Sequence, residues 1–377
     1  MRIKELRVEK AVYGGFGLAF HDGKAVFVAG AIPGEIVDAR ITRDTASHSF
    51  AAIDSVLAPS LHRISPECPN FGTCGGCDYL HADYETELAM KREIILDALS
   101  RIGKLPADII PQIDTRSAER FGYRSHAEVK LADGRAGFYR RESNEVVPFP
   151  EGGCRLLWAQ VMEGIRAAEG APGKGFRIAA GLDGAPRTSL EGSPVITERE
   201  DDIILERDIR CFYQANRLLR AAMRETVARY ASLEKGDAFI DGACGVGFFA
   251  LDLARCGASG TGYDIDRESV KWARHNAKSN GISGVKFDAK DLSKLDLTSG
   301  SYGAIVLDPP RAGLSKKARR GVSFLEPRTI VYVSCNPATF ARDAADFAAA
   351  GYAMRDLTFI DMFPGTQHIE LIARLAR

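Results

Sequence analysis

The stretch "FIDGACGVGFFALDLA", residues 239–254, decides the fold class. Phe239 and Ile240 belong to an apolar run that ends on Asp241. Glycines follow at 242, 245 and 247, and apolar residues then recur at helical spacing. The pattern predicts a strand, a tight turn and a helix. Glycines so placed let the backbone approach a ligand closely, and the helix offers that ligand its amino terminus. Downstream, "GTGYDID" predicts a second strand ending at Asp264, where a doubly wound fold puts a carboxylate that grips a ribose hydroxyl pair. Further strands are predicted at "VKFDA", "YGAIVLD", "TIVYVSC" and "HIELIARL", with helical patterns between them and the amphipathic "NRLLRAAMRETVARYASL" in front. This alternation predicts a doubly wound α/β domain over residues 206–377.

Toward the amino terminus the texture changes. Residues 1–58 alternate short apolar runs with glycine turns ("YGGFGLAF", "KAVFVAGAIPGEIVDARI") and predict a small β-barrel or sandwich. Residues 59–205 predict a second β-rich unit, with one helix over 84–103 from "DYETELAMKREIILDALSRIG" that is placed to pack on the catalytic domain. A chain of 377 residues suits two or three domains, and 45% hydrophobic with 27% charged residues is the balance of a globular protein, which excludes disorder. The formal net charge of zero neither predicts nor excludes a nucleic-acid partner. The basic "SKKARR" at 315–320 reads as a solvated helix face, with an RNA contact as the alternative. No apolar run approaches the roughly 18 to 20 residues of a membrane span. "MRIKELRVEK" lacks the apolar core of a secretory signal, so the expected location is the cytosol. There, eight cysteines read as metal ligands or catalytic groups in preference to disulfides.

The glycine loop lacks the third glycine of the dinucleotide signature, which favours a smaller adenosyl ligand, and it resembles the first motif of the class I S-adenosylmethionine-dependent methyltransferases. That resemblance implies that Asp264 holds the ribose and that Asp291 lies near the adenine, the latter residue reading otherwise as a cap or turn former. "YGAIVLDPPRAGL", 302–314, puts Asp308 at a strand end before two prolines that stiffen the exit. "IVYVSCNPATF", 330–340, ends a strand on Cys335, with Asn336 and Pro337 forcing a turn. On position alone this thiol is a small buried filler. "GTQHIELIARL" places Glu370 inside an apolar strand, and a buried carboxylate is costly without a partner or a task. His368, on the same face by alternation, is the competing base.

A thiol and an acid at a methyl-donor rim suit methylation of uracil at C5. That carbon is too poor a nucleophile alone. Thiolate addition to C6 creates an enolate with carbanion character at C5, and a base then removes the C5 proton so that the enzyme can leave. The chain resembles the RNA uracil-5-methyltransferases that act on tRNA and ribosomal RNA, through "CFYQAN", "DGACGVG", "LDPPRAG", "VSCNPATFARD" and "HIELIARL" in the family's order. The resemblance implies a Rossmann-like class I methyltransferase domain, an amino-terminal TRAM-like barrel and a central β-rich iron–sulfur domain. It implies Cys335 as nucleophile and Glu370 as base. Gln214, the loop at Ala243, Gly245 and Phe248, and the acids Asp264 and Asp308 would form the S-adenosylmethionine pocket. The expected partner is RNA, 23S rRNA ahead of tRNA, with the base flipped from its stack. The chain is expected to act as a monomer without a membrane.

Two departures stand out. The family commonly has Glu at Asp264, and a bulky aromatic plus Asn at Ala243 and Phe248, which alters donor-pocket shape and leaves the reaction type alone. Cytosine-5 enzymes carry a Pro-Cys in the strand-four motif, whereas Pro310 precedes Arg311, which favours uracil. The alternatives are an amino-group nucleic-acid methyltransferase with Cys335 as filler, and a non-catalytic cluster-bearing RNA-binding protein, against which Cys335 and Glu370 both argue.

"SPECPNFGTCGGCDYLH", 65–81, crowds Cys68, Cys74 and Cys77 together. Zinc with His81 and a four-iron cluster with Cys154 of "EGGCRLL" both fit the residues. The family's cluster-bearing members show this run and a fourth cysteine in the central domain, which implies a [4Fe-4S] cluster on Cys68, Cys74, Cys77 and Cys154 that braces the domain or shapes an RNA surface. Cys211, Cys244 and Cys256 read as packing residues.

Overall fold

The computed structural model describes residues 1–292 and 301–377. Strands β1 (Arg2–Val12), β2 (Phe16–His21), β3 (Lys24–Ala29), β4 (Ile36–Asp44) and β5 (His48–Ala58) close into a barrel in the order β1-β2-β3-β5-β4. Period-two burial of Leu6, Val8, Val26 and Val28 fills its interior. The alternation breaks between Ile3 and Leu6, where the β1–β4 register shifts and Glu5 takes a φ of +52°. Closure leaves no strand edge exposed, so the first domain is a barrel and not a sandwich.

Helix α1 (Tyr84–Arg101) starts where the Asp83 carboxylate accepts from Thr86 N at 2.8 Å, and it buries Leu88, Ile94, Ile95 and Leu99. After β6 (Ile113–Arg116) come β7 (His126–Ala132), β8 (Arg135–Tyr139), β9 (Val146–Pro148), α2 (Ala159–Ala167), β10 (Gly175–Ala180) and β11 (Pro186–Thr188). Strands β7 to β11 make a five-stranded antiparallel sheet, β11-β10-β7-β8-β9, with α2 packed on it through Val161 and Ile165. A separate hairpin, β12 (Val195–Glu200) with β13 (Ile203–Asp208), spans residue 205.

The carboxyl-terminal part runs α3 (Arg220–Ala231), β14 (Ala238–Asp241), α4 (Ala250–Arg255), β15 (Ser259–Asp264), α5 (Arg267–Ser279), β16 (Val285–Ala289) and β17 (Ala304–Leu307). It continues with α6 (Lys316–Phe324), β18 (Thr329–Ser334), α7 (Pro337–Ala349), β19 (Ala353–Ile360) and β20 (Glu370–Ala376). The sheet order is β16-β15-β14-β17-β18-β20-β19-β6. The first five strands are mutually parallel, and β20 runs antiparallel between β18 and β19. All six strands predicted here are present. The sequence reading did not foresee β19, because only its last four residues are buried.

Two elements of the 59–205 segment sit in the catalytic layer. Strand β6 pairs parallel with β19 as the sheet's edge, and α1 packs against α7 in the same apolar core. Buried ion pairs fasten the parts. Lys91 Nζ lies 2.8 Å from Glu87 and 2.7 Å from Asp361, all three side chains fully buried. Arg220 pairs with Glu198 at 2.8 Å and reaches Ser125 of the segment that leads into β7. Among the described residues, no helix is long and apolar enough to cross a membrane.

Candidate active site

A cleft of about 1450 Å³ lies along the carboxyl ends of the parallel strands, and its walls include Gln214, Ala243, Gly245, Asp264, Asp308, Cys335 and Glu370. At one end is the glycine loop. Gly242 N donates to Val306 O at 2.8 Å, and a Cβ on Gly242 would meet Leu292 Cδ2 at 2.9 Å, so the loop hugs the sheet only because that side chain is absent. Gly245 at φ +51° and Gly247 at +94° then turn the chain into α4. The Asp264 carboxylate accepts from Gly245 N and from Asp266 N, both at 2.9 Å, and thereby locks the end of β15 to the loop. Asp291 also lines the cleft. Gln214 is buried in the wall, its carbonyl accepting from Arg220 Nε at 2.9 Å. Phe248 is the other residue that the sequence reading expects in the donor pocket. It is buried in the core, edge to face with Tyr213 at 5.5 Å, and does not line the cleft. The turn from Gly247 into α4 points it inward.

At the other end the nucleophile candidate and the base candidate meet. The β18–β20 ladder pairs Ser334 with Leu371, so the next position outward sets Cys335 opposite Glu370. Asn336 ends β18 and caps α7, accepting from Ala338 N at 3.0 Å, and its amide donates to Arg311 O at 3.0 Å. The turn after the thiol is thus fastened to the loop after Asp308. Glu370 is 5% exposed. Burial, with the Asp308 charge adding, raises its carboxyl well above the usual range. Asp308 is pushed up to about 7 by burial and by Asp264. Burial first, then Glu370 and Asp308, push the Cys335 thiol up to about 11, while Arg311 opposes them. His368 lies 3.1 Å from the Arg311 guanidinium, and burial together with that charge pushes it down to about 4. It is a neutral neighbour of the cation.

Three residues at the site escaped the sequence reading. Arg311 enters the sequence reading only as the residue after Pro310 that favours uracil. Asp241 opens "DGACGVG" and was taken as a strand end. It is fully buried, one carboxyl oxygen has no hydrogen-bond partner among the described residues, and burial pushes it up to about 7. Tyr13 comes from the barrel, and its hydroxyl donates to Cys335 O at 3.3 Å. No local pattern marks it.

The tRNA (Uracil-5-)-methyltransferase family matches residues 195–377, and the TRAM domain matches residues 2–53. The chain is 31% identical to an uncharacterized RNA methyltransferase of Aquifex aeolicus over 98% of both chains. It is 30% identical to the 23S rRNA (uracil(1939)-C(5))-methyltransferase RlmD of Azoarcus sp., covering 98% of this chain and 99% of the relative. Its fold is similar to that of the Pyrococcus abyssi tRNA (uracil-54, C5)-methyltransferase, with a TM-score of 0.76 at 21% identity, covering 98% of this chain and all of the other. The chain belongs to the RNA uracil-5-methyltransferase family. As a member of it, the chain is an RNA (uracil-C5)-methyltransferase.

In this uracil-5-methyltransferase the cysteine loop abuts the cleft, whose wall includes Gly75 and Gly76. Gly75 N donates to Tyr139 O at 2.9 Å and Asn70 to Pro148 O at 2.7 Å, which binds the loop to β8 and β9. Burial raises the Cys77 thiol, and Cys154, Cys74 and Cys68 raise it further. Cys154, pushed up to about 11 by burial, also feels Cys74. The four thiols therefore share one neighbourhood and none is in a disulfide, although among the described residues no three metal-ligating side chains stand at binding distance around one point. His81 is elsewhere. It is buried against Phe71 and feels Arg63, Glu35 and Arg120. Cys211 and Cys244 are buried as expected, whereas Cys256 is exposed.

Proposed function

We propose that this enzyme methylates C5 of a uridine in 23S rRNA, with Cys335 as nucleophile and Glu370 as base. The supporting observation is that Cys335 and Glu370 lie one position beyond the last pair of one β-ladder, Ser334 with Leu371, and both line the cleft that also holds the glycine loop. The ribosomal choice rests on the RlmD relative of Azoarcus sp., similar over nearly the whole of both chains.

S-adenosylmethionine, when bound, supplies an electrophilic methyl group. Gln214, Ala243, Gly245, Asp264 and Asp308 would hold it. The Arg311 guanidinium favours the thiolate against the burial that disfavours it. The Cys335 sulfur lone pair forms a bond to C6, and the C5–C6 π electrons move toward the carbonyl as an enolate. The C5 carbanion electron pair would then form the bond to the methyl, as the methyl's bond to the sulfonium sulfur breaks and leaves its pair on that sulfur. Glu370 removes the C5 proton, the freed pair restores the ring double bond, and the S–C6 bond breaks with its electrons returning to sulfur. A carboxylate of raised proton affinity is suited to that step, and Asp308 beside it raises that affinity.

RNA carrying 5-fluorouridine tests the scheme, because fluorine cannot leave as a proton does. A denaturation-stable protein–RNA complex is expected with the natural chain and none with Cys335→Ala. Absence of the complex with methylation intact would overturn the covalent route. Mapping of 5-methyluridine in cells lacking the protein should show the loss in 23S rRNA. Loss from tRNA alone would overturn the substrate.

Cys68, Cys74, Cys77 and Cys154 would hold a four-iron cluster, a reading supported by the influence of the other three thiols on Cys77. Anaerobically purified protein should contain iron and acid-labile sulfide, both lowered by Cys154→Ser. Zinc in their place would sink this assignment.

A further inference from the structure

Glu370 follows a connection, residues 361–369, that has no strand or helix of its own. What holds this connection is the segment just after the cysteine loop. Asp78 N and Tyr79 N both donate to Gly365 O, at 2.8 and 3.0 Å. The Asp78 carboxylate accepts from Gln367 N at 2.8 Å and from Arg141, which also donates to Cys77 O at 3.0 Å. From the other side, Glu87 accepts from Gly365 N at 2.6 Å. The barrel closes over the same point, since a Cβ on Gly15 would lie 3.0 Å from Asp78 Oδ1. Asp78 is 6% exposed. A buried carboxylate that satisfies a backbone N–H and a guanidinium is costly to displace, so the Gln367 peptide is pinned close to Glu370.

We propose that Asp78 is the positioning residue for Glu370, setting the carboxylate against the C5 proton and tying its place to Cys77 next door. This rests on Glu370 being the base. The anchors of Cys335 are other hydrogen bonds, neither of them to Asp78: Asn336 to the loop at Arg311, and Tyr13, whose turn also carries Gly15. Loss of Asp78 therefore acts on proton removal and S–C6 cleavage, and spares S–C6 bond formation.

The test uses the full chain and in vitro transcribed 23S rRNA in single turnover. Denaturing quench separates free RNA, covalent methylated complex and released product. Asp78→Ala is expected to form the complex at the natural rate and release it on the order of ten- to a hundredfold more slowly, because a misplaced catalytic group costs about that much. Asp78→Asn keeps an oxygen that accepts from Gln367 N–H and should restore release. Amide exchange at Gln367 should speed up in the alanine variant alone. Misfolded molecules form no complex, so they leave the partition between complex and product unchanged. Equal slowing of formation and release, or unaltered release, would overturn the proposal. Glu370→Gln run alongside separates the two readings. If it accumulates the complex and Asp78→Ala does not, the Asp78 assignment falls alone. If Glu370→Gln releases product normally, the base assignment falls and this one with it.

Discussion

At the scale of single residues, the site is a set of groups held away from their ordinary charge states. Cys335 is a thiol near neutrality, pushed up to about 11 mainly by burial, with Arg311 opposing. Alkylation of Cys335 in the donor-free protein should therefore quicken about tenfold per pH unit through the alkaline range, since the thiolate is the reactive form. Arg311→Ala should slow it at every pH below that point. A rate independent of pH would contradict the assignment. Asp241 offers a stability test. Its folded value of about 7 lies above the ordinary 3.8, so its burial is tolerated fully below 3.8 and costs stability as pH rises through 7. Asp241→Asn removes that dependence. The donor-free variant should gain on the natural protein between pH 4 and pH 8, by on the order of 2–4 kcal/mol, and melting curves at both pH values would show it. The places of Asp308 and Cys335 just past their strands were legible in the sequence because strand ends followed by turns are coded locally, and Glu370 stood out as a carboxylate in an apolar strand. The place of Phe248 was not legible, because whether a residue just after an irregular glycine turn faces in or out depends on the turn itself.

At the scale of elements, the loop after Asp308 shows how a short irregular segment is kept in place. Asp343 on α7 is fully buried. It accepts from Leu314 N at 2.8 Å, Tyr332 Oη at 2.6 Å and Arg319 at 2.9 Å, joining α6, α7, β18 and this loop. Arg319 belongs to the basic patch read in the sequence as a solvated face, yet it is buried between Asp343 and Asp346. Charge runs say nothing about which member turns inward. Asp343→Ala leaves that guanidinium short of a partner and should cost about 3–5 kcal/mol, read as a lower denaturant midpoint. A midpoint unchanged within error would show that Asp346 suffices. The order of the last strands was also illegible. β20 lies beside β18 although β19 intervenes in the chain, and β19 gives too weak an apolar signal to announce itself.

At the scale of the whole molecule, α1 and β6 belong by sequence to the middle of the chain and by packing to the catalytic layer. Amide exchange should show this directly. The interior of α1 should exchange with the large sheet and not with the β7–β11 sheet, because cooperative units follow shared cores. Exchange with the central sheet would mean that the Lys91 ion pairs are not what anchors the helix. Such long-range placement cannot be read from local pattern, and neither can the contact between Tyr13 and Cys335, which are 322 residues apart. That contact bears on how freely the barrel can be exchanged in evolution or by engineering. A barrel transplanted from another RNA-modifying protein, however well it gripped RNA, would have to supply anew the hydroxyl that touches the Cys335 peptide. The graft would have to be chosen by its first turn.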